Sequence, residues 1–347
     1  MEGEKGSPIF RPPCLATFVW ISFIAERFMS RCSTQERSSC EWCVSLLVAI
    51  ALCGFSGCAT TPYRFGAAQW YRTSPELEAR TASQQVERGQ PNKVLDTFGW
   101  VWGIPNKIIL WDRRIDNHRI GPQTEAAVSD YLAKNELSSV KVRLNQYHPG
   151  DDWRRLAAND SVGAGWRYTL GALSVLGETI IPGRVFGGDH FNPFTNTIHI
   201  YSDVPAVAVH EAGHSKDFAP REWKGTYAAV YLLPGVPLYH EARATNDALG
   251  YLLTESDEQT QKDAYEILYP AYGTYVGGAL GNIVGGSIPY VASVIGGHAV
   301  GRYKSGQIAN GTLSESQQVK SRTTSDIKTT ASTTDVDGQL IEQIGVE

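Results

Sequence analysis

Between Tyr269 and Gly301 the chain carries no formal charge, and a small residue returns at every fourth position: Gly273, Gly277, Gly281, Gly285 and, past Pro289, Ser293, Gly297 and Gly301. A period of four follows one ridge of an α-helix. Glycine weakens an isolated helix, so its regular return is expected where a second helix must come close. Pro289 divides the run into halves of about 14–20 residues, each marginal against the about 20 that a bilayer span needs. Two arrangements satisfy this pattern. One is a membrane-inserted hairpin and the other is a tight helical pair packed on the rest of the molecule. The lack of charge favours the first.

The rest of the composition excludes some partners. The formal charge is −5, from 31 Lys+Arg against 36 Asp+Glu. With no basic run, nucleic acid is not an expected partner. A content of 42% hydrophobic and 19% charged residues supports a sizeable core. All six cysteines lie within the first 58 residues, so no disulfide is available beyond Cys58. Cys40 and Cys43 form a CxxC pair, but they abut an apolar run and have no second pair, which argues against a redox or metal role.

That apolar run, Val44 to Cys58, is uncharged and too short to span a bilayer comfortably. Its end, Phe55-Ser56-Gly57-Cys58, resembles a bacterial lipoprotein signal, in which a cysteine after small residues is lipidated. The resemblance implies a signal region over 1–57, lipidation at Cys58, and a lipid-anchored protein of the bacterial cell envelope facing the periplasm or exterior. Phe55 stands where an aliphatic residue is usual. Met29 would begin a signal of ordinary length, so residues 1–28 read as a mis-assigned start; the alternative is a genuine amino-terminal extension.

The periodicity sets an expected order of elements for the remainder. Residues 58–104 read as lipidated cysteine, tether and a polar helix from Pro75 to about Gly89. A domain over 105–268 follows, with a strand at 107–112 and a helix at 123–135. Val140 to Asn145 alternates apolar and polar, as a half-buried strand should. Residues 151–177 read as helical. Two strands, 179–186 and 197–201, are joined by the loop 187–196. Ser202 or Asp203 is expected to cap the next helix, with Pro205 in its first turn. The glycine-rich helical segment covers 269–304. Residues 305–347, rich in Ser, Thr, Gln and Asp, read as a disordered tail.

The helix opening near Val204 carries His210-Glu211-Ala212-Gly213-His214. Residues four apart share one helix face, so both imidazoles can reach one ion, while Glu211 lies about 100° round the axis and can address a water. Zinc hydrolases need that combination of neutral nitrogen ligands, an open position and a nearby base. A later helix containing Tyr239-His240-Glu241 can return antiparallel and bring Glu241 to the histidine pair, with His240 as the substitute third ligand. Asp217, three residues after His214 and seven after His210, shares their face and could hold an imidazole N–H; its alternative is a solvated charge at the helix end. Tyr239 and His240 are candidates for oxyanion stabilisation, or ordinary packing residues. His190 and His199 read as loop and strand residues.

These residues resemble the gluzincin class of zinc metallopeptidases, which carry HExxH on one helix and a glutamate on a later helix, often within Glu-x-x-Ala; here that reads Glu241-Ala-Arg-Ala244. The expected elements before the motif also resemble the zincin upper domain. The resemblance spans about residues 105–260. It implies an α+β, zincin-like fold of a small mixed sheet, an active-site helix and following helices. It makes His210, His214 and Glu241 ligands of Zn2+, and Glu211 the general base. Gluzincins often place an acid four residues after the ligand glutamate, but Thr245 stands there. The implied activity is membrane-tethered hydrolysis of a peptide or protein substrate, which would pair with the strand at 196–201. The competing reading is a non-catalytic envelope lipoprotein with a structural or vestigial zinc site and a 269–301 segment resembling the glycine zippers of bacterial envelope proteins.

Overall fold

The computed structural model describes residues 63–310. The signal-like run, the CxxC pair, Cys58 and the chain beyond 310 lie outside the described residues. Helices α1 (Pro75–Ala82), α2 (Lys93–Trp102), α3 (Ile104–Leu110) and α4 (Pro122–Lys134) are interleaved with strand β1 (Val86–Arg88) and followed by β2 (Lys141–Leu144). Then come α5 (Pro149–Ala158), α6 (Ala172–Ile180), α7 (Gly183–Phe186), β3 (His190–Asn192) and β4 (Thr197–Ile200). The chain continues through α8 (Pro205–Phe218), α9 (Lys224–Val230), α10 (Val236–Glu255), α11 (Glu258–Val284) and α12 (Ile288–Ala309). The fold is α+β, mostly helical with one small mixed sheet.

The sheet order is β1-β2-β4-β3. Strands β1, β2 and β4 run parallel, and β3 pairs antiparallel with β4 at one edge. Val142 and Leu144 sit opposite Ile198 and Ile200, and all four are fully buried in the main core with Val209, Ala212 and Leu252. The polar side of β2 is buried as well, against the expectation of a half-buried strand. Arg143 is 0% exposed because Glu87, Asp151 and Asp152 surround its guanidinium. A buried cation is tolerated only when paired in this way.

Several expected elements fold differently. Residues 107–112 are helical through Leu110, and the helix stops at Trp111 in a left-handed conformation (φ 53°). Pro105 in the first turn favours a helix start, which outweighs the β preference of Ile108 and Ile109. Thr179 to Phe186 is not a strand: α6 runs through Ile180, and Pro182 and Gly183 begin a short new helix. The edge strand β3 lies inside the segment read as a loop, turned back onto β4 through Asn196 at φ 53°. The polar helix ends at Ala82, not Gly89, and β1 joins the sheet. Tyr63 belongs to the core and its hydroxyl donates to Asp247 at 2.9 Å, so the described part of the expected tether is packed structure. Ser202 and Asp203 do not cap α8, whose N-cap is Val204. Asp203 instead accepts from the Gly121 amide and the Thr124 hydroxyl at the start of α4.

The glycine ridge forms a close helical pair. A β-carbon at Gly273 would lie 2.6 Å from the Ser293 carbonyl oxygen, and one at Gly297 would lie 2.6 Å from the Pro270 α-carbon. Backbone approaches backbone, so no side chain fits between. Gly285 and Gly286, at φ 81° and 87°, make the tight connection that only glycine adopts readily. Helix α11 begins at Glu258, so the boundary expected at 268/269 falls inside a continuous helix, and α12 runs to Ala309, into the expected tail. Among the described residues no helix is long and apolar enough to cross a membrane.

Candidate metal centre

Helix α8 lies inside the molecule. Ala206, Ala208, Val209, Ala212 and Gly213 are buried on several sides of it, between the sheet and α4, α10 and α11. Gly213 is the closest point to α10: a β-carbon there would sit 3.1 Å from the Ala244 carbonyl oxygen. This crossing lies one residue before His214 and three after Glu241, so the small side chains bring the ligand-bearing turns together. Gly235, at φ 81°, turns the chain into α10.

The structure brings Glu241, and not His240, to the histidine pair. His210 Nε2 lies 3.2 Å from Glu241 Oε2, and His214 Nε2 lies 3.5 Å from Glu241 Oε1. The three ligand atoms lie within 4.8 Å of one another. The imidazole planes are perpendicular, with ring centroids 4.8 Å apart, so the two nitrogens converge from different directions. Two imidazole nitrogens and one carboxylate oxygen are a donor set suited to zinc. Burial alone would push the Glu241 carboxyl up, but the two histidines hold it well below its usual range.

Glu211 is also buried and its carboxyl is pushed up to about 7, first by burial and then by the charges of Glu241 and Asp189, with His210 and His190 opposing. A carboxylate near neutrality is suited to accept a proton.

Three neighbours of the ligands had no role in the sequence reading. Tyr231 donates a 2.6 Å hydrogen bond to Glu241 Oε1. Tyr275, from the glycine-rich α11, lies close enough to the same carboxylate for the charges of Glu241 and Glu211 to add to burial in raising its hydroxyl pKa well above 10. Thr245 Oγ1 lies 3.4 Å from His210 Nδ1, so the residue that replaces the expected acid still contacts the histidine. For Tyr275 the available signal was the tyrosine spacing 265, 269, 272, 275, which follows one face of α11.

Asp217 does not hold a ligand imidazole. Its carboxylate binds Arg221 (2.6 Å), Arg243 (2.7 Å) and the Tyr227 hydroxyl. Burial pushes it up, but the charges of Arg243 and Arg221 more than offset that and lower its pKa. It is a buried ion-pair centre, not the solvated charge of the alternative. His240 packs against the rings of Tyr227 and Tyr231, and burial lowers its pKa to about 4. The Tyr239 hydroxyl is engaged by Arg243 at 3.3 Å. Strand β4 is flanked by β2 and β3 and has no free edge for a substrate, whereas β3 ends the sheet. His190 and His199, read as a loop and a strand residue, face each other across β3 and β4 with stacked rings 4.7 Å apart, beside Glu178.

No protein-family model, no curated protein and no solved structure matches this chain.

Proposed function

We propose that the protein is a zinc-dependent metallopeptidase of zincin-like architecture. One observation carries this reading: the Glu241 carboxylate reaches both His210 and His214 from a second helix, while Glu211, one residue from His210, is buried beside them. Zinc, when bound, polarises a carbonyl and lowers the pKa of water. His210, His214 and Glu241 would hold it. Glu211 takes the proton from the attacking water and returns it to the leaving amine. Tyr231 orients the Glu241 carboxylate, and Thr245 steadies the His210 ring. The outer edge of β3 offers backbone groups to an extended peptide.

The proposal includes a lipid anchor at Cys58 and an envelope location. In its support, Val94, Phe98 and Trp102 on α2 are 65%, 65% and 61% exposed at helical spacing, an apolar stripe suited to a membrane surface. Mass spectrometry of the mature protein tests the anchor; residues preceding Cys58 would refute it.

A second reading, a structural zinc site, is favoured by burial: the His210 and His214 side chains are only 12% and 9% exposed. One pair of variants separates the two. Glu211→Gln keeps shape but cannot accept the proton, so it should retain zinc and lose peptidase activity. Glu241→Ala should lose both. Unchanged cleavage by Glu211→Gln would reject the peptidase reading.

A further inference from the structure

We infer that Glu178, His190 and His199 form a second site for a divalent first-row metal ion, independent of the peptidase reading. The ligands come from α6, the edge strand β3 and strand β4, and their donor atoms lie within 4.8 Å of one another. His190 and His199 are direct partners in the β3–β4 register, so strand pairing holds the two rings face to face.

The hydrogen bonds around His190 and Glu178 select the donor atom that each can offer. His190 Nδ1 is 3.0 Å from the Gly188 carbonyl, which takes its N–H and leaves Nε2 as the lone-pair nitrogen. That Nε2 lies 3.2 Å from Glu178 Oε1. Asn192 Nδ2 donates to Glu178 Oε1 at 2.7 Å and orients the carboxylate. The other carboxylate oxygen, Oε2, is buried without a partner. His199 is 4% exposed, and its Nε2 is also buried without a partner, 4.0 Å from Glu178 Oε2.

An ordinary His190–Glu178 ion pair accounts for the first contact alone. It leaves two buried polar atoms facing each other unsatisfied, which folded proteins avoid. One cation between them satisfies both. Zinc bonds of about 2.0–2.2 Å set tetrahedral ligand atoms roughly 3.3–3.6 Å apart; the two imidazoles lie 3.2 Å and 4.0 Å from different oxygens of Glu178, so a small turn of the carboxylate is needed to present one oxygen to both. Two imidazoles and one carboxylate select a borderline first-row ion over calcium or magnesium. A cavity of about 10 Å³ adjoins the ligands, lined also by Tyr147 and His148. That is close to the room one water needs as a fourth ligand. Tyr147 is 41% exposed, so the cavity has a path to solvent. An ion here would tie α6 to the edge of the sheet.

Metal stoichiometry tests the site without an activity assay. The full chain is loaded with zinc, dialysed and analysed for bound metal, with circular dichroism as the check on folding. Two equivalents are expected for the wild type, and one for each of His199→Asn, Glu178→Gln and Glu241→Ala. Should His199→Asn fail to fold, Glu178→Gln, which keeps the side-chain size, carries the test. Wild-type stoichiometry that survives in folded His199→Asn or Glu178→Gln would overturn the second site. A single wild-type equivalent lost from His199→Asn but kept by Glu241→Ala would uphold it and overturn the metal reading of His210 and His214.

Discussion

The two histidine–glutamate clusters are built from the same side chains and held by different means. His210, His214 and Glu241 come from two crossing helices, set at their distance by Gly213 against Ala244. His190 and His199 come from paired strands, with Glu178 supplied by a helix. In the first cluster Tyr231 donates to Glu241, and Thr245 reaches His210. In the second, buried atoms of Glu178 and His199 remain without partners. On the proposed metal reading of both, the first is organised before an ion arrives, while the second relies on the ion for that satisfaction. The first also has Glu211, one residue from His210, which is the base on the proposed reading, whereas the carboxylate that lines the cavity beside the second, apart from its own ligand, is Asp152.

The largest expected effect tests that last difference. Glu211→Gln should lower peptidase turnover by about 10²–10⁴-fold while both metal equivalents stay bound. Loss of metal instead would make Glu211 a ligand. Next, Tyr231→Phe should weaken zinc at the first cluster by about 10–100-fold in a chelator competition. An equal loss at both clusters would mean that they are not separate. Packing can be tested within the hairpin beside the first cluster. Gly297→Ala places a β-carbon against the Pro270 backbone and should cost about 1–3 kcal/mol of stability in denaturant. Gly278→Ala meets nothing within 4 Å and should gain up to about 1 kcal/mol. Equal responses at the two glycines would remove the close-packing account of the hairpin that carries Tyr275. The smallest effect is expected for Thr245→Val. It removes a 3.4 Å contact to His210 and should change zinc binding by about 0.5–1.5 kcal/mol, less than Tyr231→Phe.

Much of the first cluster was legible because its chemistry is local. The four-residue spacing of His210 and His214 needs only a helix to bring both nitrogens to one side, and Pro205 was correctly placed in that helix's first turn. Glu241 was within reach because one short helix and a turn separate it from α8. Asp217 was misjudged for a physical reason. Its helix face was read correctly, but two arginines, one of them on α10, compete for its carboxylate. The strand errors share a cause as well. Residues 107–112 and 179–186 have strand-like composition, but Pro105 and Pro182 constrain the backbone there more strongly than side-chain preference does.

The sequence by itself determined what depends on neighbours along the chain: the helical histidine pair, the period-four glycine ridge and the apolar run ending at Cys58. Tertiary structure decided everything that depends on which surfaces meet. The glycine ridge calls for a close neighbour without naming it, and the neighbour is settled by Gly273 against Ser293 and Gly297 against Pro270. Glu178, His190 and His199 are separated by 12 and 9 residues with no repeat between them, and they converge only because β3 folds back on β4 beneath α6. Periodicity reports one element at a time, whereas a site shared by a helix and two strands exists only in their packing.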